Sequence, residues 1–207
     1  MFHGKKATVY LVDDDEAVLD ALAMLIHSIG LTTRTYADPA VFLAELTGHE
    51  VGCLVIDIRM PSINGFAVIE RLASVRSQLP VIMITGHGDV AQCRRAFQLG
   101  VVDFLTKPID ENALIESLQK AVQLDAMRQI KENDILQVKR KLAKLSVRER
   151  EVFELVSDGV PNKLIADDLH LSLRTVEAYR ASVFEKLGAT SLADLVKLKA
   201  ASYFGAH

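Results

Sequence analysis

Val51, Cys53, Leu54, Val55 and Ile56 make an apolar run without alternation that stops at one carboxylate, Asp57. Gly48 precedes the run, and Met60-Pro61 and Asn64-Gly65 follow it, so it reads as a strand buried on both faces. Such a strand belongs in a parallel sheet covered by helices, and the rest of the chain must supply more strands and the crossover helices between them. An acid at its last residue sits where the strand leaves the core, which is where open parallel sheets bind ligands. Taken alone, Asp57 is also readable as a helix cap or a solvated loop acid.

The required pattern is present. Residues 7–12 are a buried strand ending at Asp13, Asp14 and Asp15, and Val18, Leu22, Leu25, Ile26 and Ile29 then recur at helical spacing up to Gly30. A second strand covers 31–36, and Asp38-Pro39 caps and opens a short helix through Leu46. After the Asp57 strand come a helix from about Gly65 to Val75, the strand 81–85 and a helix capped by Asp89 and closed by Gly100. The strand 101–106 then ends at Lys107-Pro108, and Asp110 opens a further helix. Strict alternation predicts an α/β domain with helices on both faces of a five-stranded parallel sheet.

Beyond Leu118 the alternation ends. Residues 111–142 fit one long helix with apolar positions at Leu114, Leu118, Val122, Met127 and Ile130, then Ile135, Val138, Leu142 and Leu145. The register breaks between the two sets, leaving two readings, a connector that pairs with a partner helix and a solvated linker. From Ser146 the chain is all helix. SVRE (146–149) is a capping box, Gly159 ends that helix, and Pro161-Asn162 opens a short one. Ser172 caps a longer helix with Leu173, Val176, Val183 and Leu187 as its buried stripe, and Thr190-Ser191 starts the last. A helix-turn-helix is expected across 162–187.

Charge separates these parts. Residues 1–122 carry ten Lys and Arg against fifteen Asp and Glu, whereas 144–207 carry nine of each, so net charge makes no case for nucleic acid there. No apolar run approaches membrane-spanning length, and the start of the chain is too short in apolar residues for a signal peptide. Cys53 and Cys93 lack metal-ligand spacing and read as reduced, packed residues of a cytoplasmic protein.

Chemically useful residues recur at the carboxyl ends of strands: Asp13-Asp14, Asp57, Thr85 and Lys107. With strand order 2-1-3-4-5, the first and third strands flank the topological switch point and the acids converge there. Clustered carboxylates need a cation, and oxygen ligands without His or Cys suit Mg²⁺. Asp57 is then placed to attack a phosphoryl donor and form an acyl phosphate. Lys107 would offset charge on the phosphoryl oxygens and the Thr85 hydroxyl would donate to one of them.

Through Asp13-Asp14, Asp57 in DIRMP, Thr85 and Lys107-Pro108, residues 5–122 resemble the receiver domain of bacterial two-component response regulators. The resemblance implies a flavodoxin-like fold and a partner sensor histidine kinase that donates the phosphoryl group to Asp57. It also implies Mg²⁺ held by Asp14, Asp57 and the Arg59 backbone carbonyl, with Asp13 reaching the metal through water. Phe104 matches the aromatic switch residue that turns inward as Thr85 moves. It lacks the hydroxyl of a Tyr, and Gly86 stands where many receivers have Ala. GHGDVA (86–91) also fits G-x-G-x-x-A of a dinucleotide site, but the next strand ends in Thr106-Lys107 with no acid for a ribose. His87 in that loop reads as a solvated side chain. Asp57-Ile58-Arg59 lacks the second acid of aspartyl-phosphate phosphatases.

In the C-terminal part, a core-facing stripe at 173, 176, 183 and 187 leaves Arg174, Glu177, Ala178, Ala181 and Glu185 on the opposite face. Arg180 and Lys186 flank it, and Asn162 and Lys163 start the preceding helix. From the residues alone a protein-interaction module is the competing reading. LSVREREVFELVSDGVPNKLIADDLHLSLRTVEAYRASVFEKLGATS, however, resembles the LuxR-type helix-turn-helix of the FixJ/NarL family of response regulators. That resemblance implies promoter DNA as a partner, with Lys163, Arg174, Thr175, Arg180 and Lys186 on phosphates and Glu177, Ala178 and Ala181 on bases. Tyr179 replaces a common His. The expected organisation is a receiver at 1–122, a helical linker at 123–143 and an all-α four-helix domain at 144–207, acting as a transcription factor that forms a homodimer on phosphorylation.

Overall fold

The computed structural model describes residues 7–86 and 88–203, so His87 lies outside the described residues. Its contacts divide into two compact units, Met1–Arg128 and Gln129–His207. In the first, strands β1 (Thr8–Val12), β2 (Thr32–Tyr36), β3 (Gly52–Asp57), β4 (Val81–Thr85) and β5 (Asp103–Thr106) pair in parallel in the order β2-β1-β3-β4-β5. The expected sheet and its order are found. Helices α1 (Glu16–Ser28), α2 (Pro39–Glu45), α3 (Gly65–Ser74) and α4 (Val90–Gln98) connect the strands, and α5 (Glu111–Leu142) follows β5.

Every residue of β3 is buried, and the pleat divides its side chains between two cores. Cys53 and Val55 join Val9, Leu11, Leu22, Ile26, Ile82 and Leu114 on one face. Leu54 and Ile56 join Phe42, Val68, Leu72 and Met83 on the other. This double burial fixes the register, because a one-residue slip would exchange the two faces, and it holds Asp57 at the sheet's carboxyl edge. The edge strand β2 differs: Arg34 and Thr35 are exposed and only Tyr36 is buried. The last strand begins at Asp103 rather than at 101, with Val101 buried just before it.

Helix starts follow side-chain capping. Asp15, Asp38, Asn64 and Asp89 each accept a backbone N–H of the first turn of the helix they precede. Gly65, the first residue of α3, has no room for a side chain, since a Cβ would lie 2.4 Å from the Asp57 carbonyl oxygen.

Helix α5 runs unbroken. Leu114, Leu118 and Ala121 pack into the receiver core, Met127 and Ile130 are exposed, and Leu142 is buried in the second unit's core. That second core gathers residues of α6 (Val147–Ser157), α7 (Asn162–Asp168), α8 (Leu173–Leu187) and α9 (Leu192–Tyr203), including Val152, Phe153, Ile165, Val176, Val183 and Leu187. Ser146 and Glu149 form the expected capping box.

Leu173 corrects one expectation. It is 48% exposed rather than part of the buried stripe. It occupies the first turn of α8, at the margin of the stripe, and Leu171 just before the Ser172 cap joins Val176 in the core instead. Leu171 and Val176 stand at the two positions of a hydrophobic staple, the residue before the cap and the fourth helical residue.

Candidate functional site

Asp13 directly follows β1 and Asp57 ends β3, and both are nearly excluded from solvent, at 3% and 5% exposure. The Lys107 ammonium, arriving from the end of β5, lies 2.7 Å from Asp13 Oδ2 and 2.8 Å from Asp57 Oδ1. One cation thus bridges two acids from neighbouring strands. Burial pushes the Asp13 carboxyl above its usual value against the opposing pull of Lys107, while the hydrogen bonds to Asp13 and Asp57 outweigh burial and raise Lys107. The Arg59 N–H donates to Asp57 Oδ2. Asp13 Oδ1 accepts the Asp15 N–H at 3.0 Å. Asp14 is exposed beside this pair, and the Lys107–Pro108 peptide is cis.

Thr85 ends β4 and is fully buried, and Lys107 donates its N–H to the Thr85 carbonyl at 2.8 Å. Phe104 of β5 packs part-buried against the core on the α3 side. Gly88 joins the two. A Cβ there would meet Thr106 Cγ2 at 2.9 Å, Phe104 Cε1 at 3.1 Å and Thr85 Cγ2 at 3.5 Å. The glycine that fitted a dinucleotide pattern therefore lets the loop before α4 lie against Thr85 and Phe104. Its place immediately before a helix cap carried no mark of this.

Among the described residues, no three His, Cys, Asp or Glu side chains form a metal-holding group. The donors at the strand ends still suit a hard cation. They are carboxylates only, Lys107 already satisfies two of them as a positive charge, and Mg²⁺ takes one or two carboxylates and keeps water on its other positions.

In the second unit the sequence-assigned residues fall into two groups. Lys163, Arg174, Glu177, Ala178 and Ala181 are exposed on α7 and α8. The others are already engaged. Arg180 donates to Asn162 Oδ1 at 2.6 Å and lies over the Phe184 ring, and the Thr175 hydroxyl bonds the Ser172 hydroxyl at 2.7 Å. Lys186 pairs with Glu149 Oε1 at 2.7 Å. Tyr179 is part-buried against the core.

Glu149 is the residue whose reach sequence reasoning missed. Beyond closing the capping box, its carboxylate accepts the Ser182 hydroxyl at 2.6 Å and binds Lys186, tying the start of α6 to α8. These bonds hold its pKa down to about 2, the Lys186 bond first. Glu at the third helical position was legible as a cap; partners more than thirty positions away were not.

The family model for the response regulator receiver domain matches residues 9–119, and that for bacterial regulatory proteins of the luxR family matches 143–199. The transcriptional regulatory protein FixJ of Bradyrhizobium diazoefficiens is 38% identical over 93% of this chain and 94% of its own length. The response regulator protein TodT of Pseudomonas putida is 35% identical over 94% and 86%. Among solved structures, the response regulator StyR superposes with a TM-score of 0.86 at 35% identity, covering 95% of this chain and 99% of that one. Full-length FixJ from B. japonicum gives 0.58 at 37% identity, covering 97% and 99%. No described helix is long and apolar enough to cross a membrane. With both halves matched in order and relatives aligned along nearly its whole length, the chain belongs to the FixJ-like transcriptional response regulators, which join a receiver domain to a LuxR-type DNA-binding domain.

Proposed function

We propose that Asp57 is the phosphoacceptor and that its phosphorylation governs how the helical domain grips promoter DNA. The observation that carries this is the Lys107 bridge to Asp13 and Asp57, which puts a nucleophilic carboxylate beside a second acid and a cation able to take phosphoryl charge. An Asp57 oxygen attacks phosphorus as the phosphorus–nitrogen bond to the kinase's histidine breaks, leaving an acyl phosphate on the receiver and a neutral imidazole on the kinase. Apart from this transfer and its hydrolysis, the receiver has no enzymatic activity of its own. Asp13, Asp14, Asp57 and the Arg59 carbonyl would hold Mg²⁺, which supplies charge stabilisation for the phosphoryl oxygens. Lys107 neutralises one of those oxygens, and Thr85 turns its hydroxyl to another.

Movement of Thr85 carries Phe104 and the Gly88 loop with it, shifting a two-state receiver at α4 and β5. That surface exposes Val90 (77%) and Phe97 (51%), apolar area suited to pairing with a second copy. Pairing brings two helix-turn-helix units to adjacent half-sites. Lys163, Arg174, Thr175 and Arg180, with Asn162, take phosphates, and Lys186 does so while held by Glu149. Glu177, Ala178 and Ala181 face base edges. The functional divisions are a receiver at 1–122, a linker at 123–143 and a DNA-binding domain at 144–207, working in the cytoplasm. Intact-mass measurement after acetyl phosphate and Mg²⁺ tests the central step. The wild type is expected to gain one phosphoryl group and Asp57→Asn none; equal labelling of both would remove Asp57 from this role.

A further inference from the structure

Helix α5 is rooted in the receiver by a buried polar cluster that takes no part in phosphoryl chemistry. Asp125, inside the stretch read as linker, is 1% exposed. Its Oδ2 accepts the Gly52 N–H at 2.8 Å, and its Oδ1 binds the Arg128 guanidinium. Arg128 also donates to the Glu50 carbonyl at 3.3 Å. Gly52 has φ +126°, and a Cβ there would fall 1.9 Å from the Thr8 carbonyl oxygen, so only glycine lets β3 begin here with its N–H aimed at Asp125. A carboxylate this deep is tolerated only with a full set of partners, and the set spans 73 positions of chain.

Two features give the cluster a role beyond stability. Gly52 starts the strand that ends at Asp57, and Asp125 and Arg128 lie on a helix that continues without Gly or Pro to Leu142 in the second unit's core. An unbroken helix has no built-in hinge, so its attachment decides whether it behaves as a rigid extension of the receiver or as a loose tether.

We propose that Gly52, Asp125 and Arg128 form an anchor that makes the connector helix part of the receiver's rigid body, and that phosphorylation reaches the output domain only while the anchor is closed. The inference rests on Asp57 as the phosphoacceptor. With the anchor open, the turns beyond Ala121 fray, and a receiver change no longer biases the helix.

The test uses the full chain carrying Asp125→Asn, Arg128→Ala or Arg128→Lys, the last keeping the charge but losing the guanidinium's paired donors. Three readouts are taken together: amide exchange across 122–132, phosphoryl incorporation from acetyl phosphate with Mg²⁺, and affinity with and without acetyl phosphate for a duplex that the wild type selects from a random-sequence pool. In Asp125→Asn and Arg128→Ala, exchange is expected to rise about tenfold or more and incorporation to stay within about twofold of wild type. The phosphorylation-induced gain in affinity should drop below about twofold, with Arg128→Lys intermediate. A variant that frays yet keeps the full gain overturns the anchor, as does unchanged exchange or loss of incorporation along with the gain. A wild type with no gain removes the functional reading and this inference with it.

Discussion

Lys107 satisfies two acids that would otherwise face each other, and the charge balance of the receiver site depends on it. Lys107→Ala should leave Asp13 and Asp57 in mutual repulsion, lowering the receiver's melting temperature at neutral pH. Added Mg²⁺ is expected to restore more stability to this variant than to wild type, because a divalent ion fills the place of the lost ammonium. A thermal melt with no magnesium effect on either protein would count against a cation site. The two leucines of α8 offer a second comparison at this scale. Leu187 is 1% exposed and Leu173 48%, so Leu187→Ala should cost about 2–5 kcal/mol and Leu173→Ala less than about 0.5. Equal losses in chemical denaturation would place Leu173 back in the core.

Among the elements, α8 is held by α6 through Glu149 as well as by its apolar stripe. The folded-state pKa of Glu149, about 2, lies below its ordinary value of 4.5, so its bonds add stability above pH 4.5 that is lost as pH falls from there toward about 2. Denaturant titrations of wild type and Glu149→Gln should therefore differ most above pH 4.5 and converge in acid; a constant difference would mean that the carboxylate's charge is irrelevant. The elements themselves were largely legible. Apolar runs ended at polar residues that the sheet brings to one edge, and Asp or Ser stood where helices begin, because burial and capping are local signals. What stayed hidden depends on chain separation. Asp125 sits in an ordinary helical pattern and shows its purpose only once Gly52, far upstream, lies under it. Leu173 keeps helical spacing, yet whether a first-turn residue is covered depends on what packs over it: Leu171 packs against the core, and Leu173 stays exposed. The edge where these residues gather was readable for the opposite reason: Asp13, Asp57, Thr85 and Lys107 are each a polar residue at or just beyond the end of a strand, and parallel pairing brings those ends to one edge of the sheet.

At the scale of the whole molecule, a phosphoryl group on one unit must change what the other does, through paired copies, the connector helix or both. A switch of this kind needs a differential free energy between states, and a coupling of a few kcal/mol amounts to about tenfold or more in affinity. The most direct measurement is the affinity for a wild-type-selected duplex, with and without acetyl phosphate and Mg²⁺, in wild type and Asp57→Asn. A gain of about tenfold confined to wild type is expected. The same affinity in all four conditions, or a gain that persists in Asp57→Asn, would contradict control of DNA binding by Asp57.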